Sequence, residues 1–390
     1  MAPEALGPLS SRPGGAARRL DVSPESANGR AGPLAARLLP GGRATAPTYD
    51  FGALLPGVGV FGGVRRVLEL GNALVRRGHR YVLYHPEGTP PGWLPFAGLV
   101  RPLPALRQVS HQVLLCGEPT LLGDFEAAPA ALKIFYCVLE KLPGERRIVR
   151  HPGWTILANS SGVQERLWRC HRVRAEAAFG GVNLQMFHPP GAPPRRPPGT
   201  FRILAYGRVS RQRKGTLLVV RAAEALARRL SRRRLAAAGS APPPVELVLF
   251  DHLGPGNERD PRPELPCRIP CEFHLDEPQE RLAELYASCD VFVSAERRAG
   301  WNNTVAEAMA CGVPVLCTSS GTRDLARHME TAWVACWRHS YFLAAGLAAL
   351  QRDPELRLRL RAAAQRRVAA FTWDRVAARV ESVVAARLGK

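Results

Sequence analysis

The segment Pro189-Pro190-Gly191-Ala192-Pro193-Pro194-Arg195-Arg196-Pro197-Pro198-Gly199 constrains the fold more than any other. Proline fixes φ and has no N–H to donate, so this stretch cannot lie inside a helix or a central strand. It acts as a semi-rigid spacer. The chain on either side repeats one pattern: an apolar run, a turn, a helical stretch, and another apolar run. Two such halves predict parallel, helix-covered sheets of the α/β class, doubly wound and Rossmann-like. With 390 residues and 46% hydrophobic content the chain can fill a core in each.

Residues 1–46 are rich in Gly, Pro, Ala, Ser and Arg without a period and are expected to be a disordered leader. Phe51 to Leu55 reads as a strand and Gly57 to Gly63 as a turn. A helix follows, with Val64, Val67, Leu68, Gly71, Leu74 and Val75 on one face and Arg65, Arg66, Glu69, Arg76 and Arg77 opposite. Further strands are expected at Arg80–Tyr84, His111–Cys116, Ile134–Val138 and Trp154–Ala158. Asn159-Ser160-Ser161 then caps a helix through Trp168.

After the spacer, strands are expected at Arg202–Tyr206, Val245–Phe250, Glu272–Leu275, 290–294 and 313–317. Helices are expected near 215–230, 277–288, from Pro354, and from Phe371-Thr372-Trp373 to about Arg387. The expected organisation is a first domain at 47–188, a spacer at 189–200 and a second domain at 201–371. A final helix at 372–390 is placed to pack back on the first domain.

Several classes are excluded or disfavoured. The chain holds no apolar run near 20 residues, and its N-terminus lacks an apolar signal core, which argues for a cytoplasmic protein. Nine scattered cysteines without a CxxC argue for reduced thiols, not a zinc site or disulfide frame. The net charge of +21 comes almost wholly from Arg, since Lys occurs only at 133, 141, 214 and 390. No aromatic signature accompanies the basic clusters, so nucleic acid is not the expected partner. Scattered charge suits peripheral contact with an anionic inner membrane face, or a solvated surface.

Three constellations carry chemistry. Gly57-x-Gly59-x-x-Gly62-Gly63 lies between a strand and a helix, where glycines let backbone approach a ligand and leave helix N–H groups aimed at an anion. With Glu87 downstream it also satisfies a dinucleotide fingerprint, and a tight turn without a ligand would look the same. Gly207 to Gly215 contains Arg208 and Lys214 at a strand's C-terminal end. A compact ammonium suits point contact with a phosphate oxygen, while a guanidinium can grip bidentately. A solvated basic loop is the plainer alternative.

The third runs from Ala299 to Asp324, and Gly300, Asn302, Asn303 and Thr304 form the mouth of a strand–loop–helix unit. Thr304 and Glu307 have capping-box spacing; Glu307 could instead accept two ribose hydroxyls. No Asp-x-Asp occurs, so no carboxylate-held divalent metal is expected, and no cofactor.

These motifs together resemble the retaining GT-B glycosyltransferases of the large group 1 family, from about residue 50 to 385. The likeness rests on Gly62 to His79, Ile156 to Leu167, Gly180 to Pro189, Gly207 to Gly215 and Ala306 to Val315, in that order. The resemblance implies two lobes facing across a cleft. It implies that Gly62 and Gly63 approach the donor's phosphates, that Arg208 and Lys214 hold the diphosphate as the catalytic cations, and that Glu307 holds the ribose. The implied reaction moves a sugar from a nucleotide-sugar to an acceptor (a glycan, a lipid or a small molecule) with retention and without metal.

One departure stands out: the family carries Glu-x7-Glu, and Ala299 occupies the first position. Two other readings stay open, a dinucleotide-dependent oxidoreductase and a non-catalytic nucleotide-sugar-binding protein.

Overall fold

The computed structural model describes residues 47–389 apart from 193, 195–197, 237–243 and 255–256. The expected disordered leader lies outside the described residues. Seven strands form the first sheet: β1 (Asp50–Leu54), β2 (Arg80–His85), β3 (Leu99–Pro102), β4 (His111–Cys116), β5 (Ala130–Cys137), β6 (Trp154–Ala158) and β7 (Glu176–Ala177). All pair in parallel, in the order β3-β2-β1-β4-β5-β6-β7. Helices α1 (Gly62–Arg76), α2 (Leu122–Ala127), α3 (Glu145–Val149) and α4 (Ser161–His171) belong to this lobe.

The second sheet holds β8 (Phe201–Tyr206), β9 (Val245–Asp251), β10 (Cys271–Leu275), β11 (Val291–Ser294), β12 (Val315–Cys317) and β13 (Trp333–Val334). It too is parallel, in the order β10-β9-β8-β11-β12-β13. Its helices are α5 (Thr216–Ala236), α6 (Leu282–Ala287), α7 (Asn303–Ala310), α8 (Ser340–Arg352) and α9 (Pro354–Val368), and α10 (Trp373–Leu388) ends the chain. Strand order reverses beside β1 in one sheet and beside β8 in the other. A crevice opens at such a reversal, outside the carboxyl ends of the strands, because the connections leave toward opposite faces.

Helix α1 departs from its expected two-faced character. Its apolar residues Val64, Leu68 and Leu74 are buried, but so are Arg65, Arg66 and Glu69. The first two turns of the polar side are covered as well, while Arg76 and Arg77 stay exposed as expected. Arg66 donates to the Tyr136 hydroxyl at 2.9 Å, and its guanidinium lies over the rings of Tyr136 and Trp373. Glu69 accepts from Asn183 at 3.1 Å; burial pushes its carboxyl up, and that hydrogen bond only partly opposes the shift. Buried charges persist only when partnered, and these three are.

Helix α10 follows the second lobe in sequence yet completes the core of the first. Trp373, Val376, Val380 and Val384 pack with Phe51, Leu68, Leu74 and Tyr81. Each fully buried aliphatic side chain is worth roughly 1.5–3 kcal/mol. The Thr372 hydroxyl caps the helix by accepting from the Arg375 N–H. At the rim Arg76 pairs with Asp374 at 3.0 Å, and Glu381 receives both Arg77 and His79.

The chain passes between the lobes twice, near 182 and near 371. These crossings touch, the Val182 N–H donating to Phe371 O at 2.9 Å.

Burial raises the Glu381 carboxyl, but the bonds from Arg77 and His79 outweigh it and leave the group below its ordinary value. A depressed carboxylate stabilises the fold above its unfolded pKa, and that contribution disappears as pH falls through the folded pKa. Melting temperature should therefore drop on acidification from about pH 5 to 3. Glu381→Gln should flatten that dependence in a pH series of thermal melts, and an identical slope would remove Glu381 as its source.

Candidate active site in the inter-lobe cleft

A cavity of about 380 Å³ lies between the carboxyl ends of the two sheets and is walled by both lobes. From the first lobe, β1 delivers the glycine loop and the start of α1. The N-cap residue Phe61 offers no side-chain acceptor, so the first N–H groups of α1 face the cavity without a side-chain cap. Such a helix end attracts an anion, because unpaired N–H groups and the helix dipole act together. Gly63 has open space where a Cβ would stand, and Gly62 contacts the opposite lobe, its carbonyl accepting from Asn303 at 3.1 Å.

From the second lobe, β8 ends at Tyr206 and the loop to α5 is pinned by Thr216. The Thr216 hydroxyl donates to the carbonyls of Tyr206 and, at 3.1 Å, Arg208. Gly215 takes φ +76° with the Ala295 backbone against it, a place no side chain fits. This turn sets Lys214 on the cavity wall, its Nζ 2.8 Å from Glu296 Oε2 and 5.4 Å from the Tyr206 ring centroid. Arg211 spans the gap: it lies over the Phe61 ring and donates to Asn257 Oδ1 at 2.8 Å.

Arg208 sits elsewhere. It is buried, with Nε 2.5 Å from Asp251 Oδ2 and its other nitrogens donating to the carbonyls of Arg259 and Asn257. It does not line the cleft cavity, and these three acceptors engage it within its own lobe.

The mouth residues divide by task. Asn302, not Thr304, caps α7: its Oδ1 accepts from the Val305 N–H and the Thr304 hydroxyl, and its Nδ2 donates to the Ser294 hydroxyl. The expected Thr304–Glu307 capping box is absent, because the cap lies two residues earlier and Glu307 is bound elsewhere. Glu307 is buried, accepts from the Tyr286 hydroxyl at 3.0 Å and lies 3.6 Å from Arg65 Nε. Tyr286 is pushed well above its ordinary value by burial and then by this carboxylate.

Gly300 serves the contact between lobes. A Cβ there would collide with Val138 O and the Asn159 side chain, beside the Leu139–Ala299 bridge that joins the lobes. Asn303, Thr304 and Ala299 line the cavity.

Sequence reasoning missed Arg65. It follows Gly63 by two residues and reaches across the cleft to Glu307 and Gln279, lying over Trp93 and Phe187. Glu296, three residues before the expected glutamate position, does reach the cavity and pairs with Lys214. Asn159 Oδ1, Trp301 Nε1 and Asn303 Oδ1 are buried polar atoms without a partner, on residues that line the cavity. Each such atom costs about 1–3 kcal/mol until something bonds it.

Burial also lowers the imidazole pKa of His252, on the same wall, with Asp276 opposing the shift. Among the described residues no three His, Cys, Asp or Glu gather as a metal site, and no helix is long and apolar enough to cross a membrane.

Part of the sequence and the overall fold have known counterparts. Residues 200–353 match the family described as "Glycosyl transferases group 1". A D-inositol 3-phosphate glycosyltransferase of Thermobispora bispora is 29% identical over 231 residues, 56% of this chain and 51% of the relative. One from Pseudarthrobacter chlorophenolicus is 30% identical over 253 residues, 60% of this chain and 56% of the relative. The chain thus spans about half the length of these curated relatives.

Among solved structures, Anabaena Alr3699/HepE in complex with UDP-glucose superposes with a TM-score of 0.65 at 15% identity, covering 87% of this chain and 100% of that one. A sucrose-phosphate synthase from Thermosynechococcus elongatus gives 0.64 at 16% identity, covering 87% and 99%. The fold is that of the two-lobed GT-B proteins, and the segment that carries Lys214, Glu296 and Glu307 is the one that matches the group 1 glycosyltransferases.

Proposed function

We propose that the chain transfers a glycosyl group from a nucleoside-diphosphate sugar to a hydroxylated acceptor, with retention at the anomeric carbon and without a divalent metal. One observation carries the reading: the uncapped N-terminus of α1, the Lys214 ammonium and the Glu307 carboxylate line one cavity. Two of these suit a pyrophosphate and the third suits ribose hydroxyls.

As the bond from the anomeric carbon to the diphosphate breaks, negative charge grows on the leaving oxygens. Fixed positive groups then stabilise the transition state more than the ground state. Lys214 and the α1 dipole supply that charge. Arg208 contributes indirectly, by holding the loop that carries Asn257 to the cavity.

Glu307 is occupied by Arg65 and Tyr286, so a ribose must displace or share the Arg65 contact. Glu296 is a carboxylate near the ammonium, where Ala299 supplies none. UDP-glucose, held by one structural neighbour, is the first donor to try. An inositol phosphate, named in the sequence relatives, is the first acceptor. The Arg-rich composition suits work at an anionic membrane surface.

The dinucleotide reading gains little, because Glu87 pairs with His85 and does not line the cavity.

Thermal-shift screening with UDP, GDP, ADP and NAD, followed by mass-spectrometric detection of donor hydrolysis, tests the proposal. Stabilisation by NAD alone would sink it. Stabilisation by a nucleoside diphosphate without turnover of any nucleotide sugar would leave a binding protein. Glu307→Gln should weaken donor binding about 10-fold or more, since hydrogen bonds to a charged group are worth about 1.5–3 kcal/mol. A large drop in melting temperature with an unchanged donor constant would assign Glu307 to packing alone.

A further inference from the structure

Two large apolar side chains are more exposed than any other among the described residues, Trp337 at 69% and Tyr341 at 70%. Single exposed apolar residues are ordinary on a protein surface. These two fall within five residues, at the turn from β13 into α8. Two bonds tighten that turn: the His339 N–H donates to the Trp337 carbonyl at 2.9 Å, and the Tyr341 N–H to His339 Nδ1 at 3.2 Å.

Arg338, between the two rings, ties the turn to its neighbours. Its guanidinium donates to Ala295 O, after β11, at 2.7 Å and to Gln212 O, after β8, at 2.8 Å. The Arg297 N–H completes the link by donating to Arg213 O at 2.8 Å. Three loops at the carboxyl end of the second sheet thus form one surface. They also supply Lys214, Glu296 and Ala299 to the cleft wall, so this surface borders the mouth of the cavity.

The surface is strongly basic. Apart from Arg208, which pairs with Asp251, its loops carry Arg211, Arg213, Lys214, Arg297, Arg298 and Arg338 against one acid, Glu296. That acid is buried and already faces Lys214 and Arg213. Arg297 and Arg298 are exposed. Glu140 of the first lobe feels the Arg298 charge, but Arg166, Lys141 and Arg323 act on it as well, so the excess stays positive.

Trp and Tyr rings settle at the headgroup level of a bilayer, since one end is apolar and the other polar. Arginines beside them are drawn to anionic lipid, and apolar burial and charge attraction add in such attachment. Rings that project this far suit a soft interface that they can enter.

We propose that this face of the second lobe docks on an anionic lipid bilayer, with Trp337 and Tyr341 at the headgroup level and Arg297 and Arg298 on lipid phosphates. The inference rests on the membrane-surface part of the proposed function and gives it a named face.

Flotation of the full chain with vesicles tests it, using phosphatidylcholine alone and phosphatidylcholine with phosphatidylglycerol in equal parts. The protein should float with the anionic vesicles and not with the neutral ones. Arg297→Gln/Arg298→Gln should weaken that binding about 10-fold or more, because each basic residue near such a surface contributes several-fold. Trp337→Ser/Tyr341→Ser should weaken it by about as much, through lost apolar burial. Lipid with brominated acyl chains should quench tryptophan emission, and Trp337→Phe should lose most of that quenching.

Binding that survives either double variant would overturn the proposal, as would failure of the unaltered protein to float or unchanged quenching in Trp337→Phe. Self-association that the aromatic variant abolishes would make a second copy of the chain the occupant instead. Capture of a single-stranded oligonucleotide in preference to the vesicles would make it a nucleic acid. The rise in melting temperature with UDP should be equal in all these proteins, which verifies their fold. Its absence from all of them, with flotation as expected, would remove the donor reading and leave the docking face standing.

Discussion

Lys214→Ala should weaken nucleoside-diphosphate binding by about 10- to 100-fold and leave affinity for the bare nucleoside nearly unchanged. The magnitude follows from a charge-assisted hydrogen bond of about 1.5–3 kcal/mol between ammonium and phosphate. The selectivity follows from position, since Lys214 lines the same cavity as the uncapped end of α1.

A second effect adds to the first. Lys214 is paired with Glu296 at 2.8 Å, so its removal leaves a buried carboxylate facing an anionic ligand. The double variant Lys214→Ala/Glu296→Ala should therefore recover part of the lost affinity. Calorimetric titration of UDP and uridine into the three proteins separates these terms. Equal losses for nucleotide and nucleoside would reject the phosphate assignment.

The largest stability effect is expected at Asp251. Its carboxylate holds Arg208 at 2.5 Å, with both side chains almost wholly buried. Removing one partner of a buried pair leaves an uncompensated charge and typically costs about 3–5 kcal/mol. Asp251→Leu should show a loss of that size in urea unfolding, and Arg208→Met/Asp251→Leu should recover most of it.

The same pair tests the role that the sequence resemblance assigns to Arg208. If Arg208→Met and the folded Asp251→Leu/Arg208→Met both fail to bind nucleotide, the guanidinium is required, through the ligand or through the Asn257 loop that it holds. If the double variant binds normally, the guanidinium neither contacts the ligand nor is needed to hold that loop.

How much of this was legible beforehand depends on the kind of signal. The strands that line the switch points, β1, β4, β8 and β11, are apolar runs bounded by turn residues, and period alone finds them. The edge strands β3, β7 and β13 are two to four residues long and partly exposed, so they lack the apolar density that marks a buried strand. Lys214 was legible because it is a rare Lys at a strand end.

Arg65, Arg66 and Glu69 were misread for a physical reason. A reading of apolar spacing assumes one wet face, and α1 has a sheet on one side and the inter-lobe crossings and α10 on the other. No pattern within 15 residues can report a cover that comes from residues 183 and 373. The Asn302 cap lost to Thr304 for a smaller reason: both are good N-caps, and the Thr-to-Glu spacing favoured the wrong one.

The two neighbouring passages of chain between the lobes carry a mechanical consequence. A single tether would let the halves swivel freely, whereas two strands laid side by side and bonded together resist twisting and leave one easy bending axis. Any opening of the cleft would have to follow that axis. Because α10 continues directly from one of those passages into the far core, such an opening would be coupled to the packing of the opposite lobe.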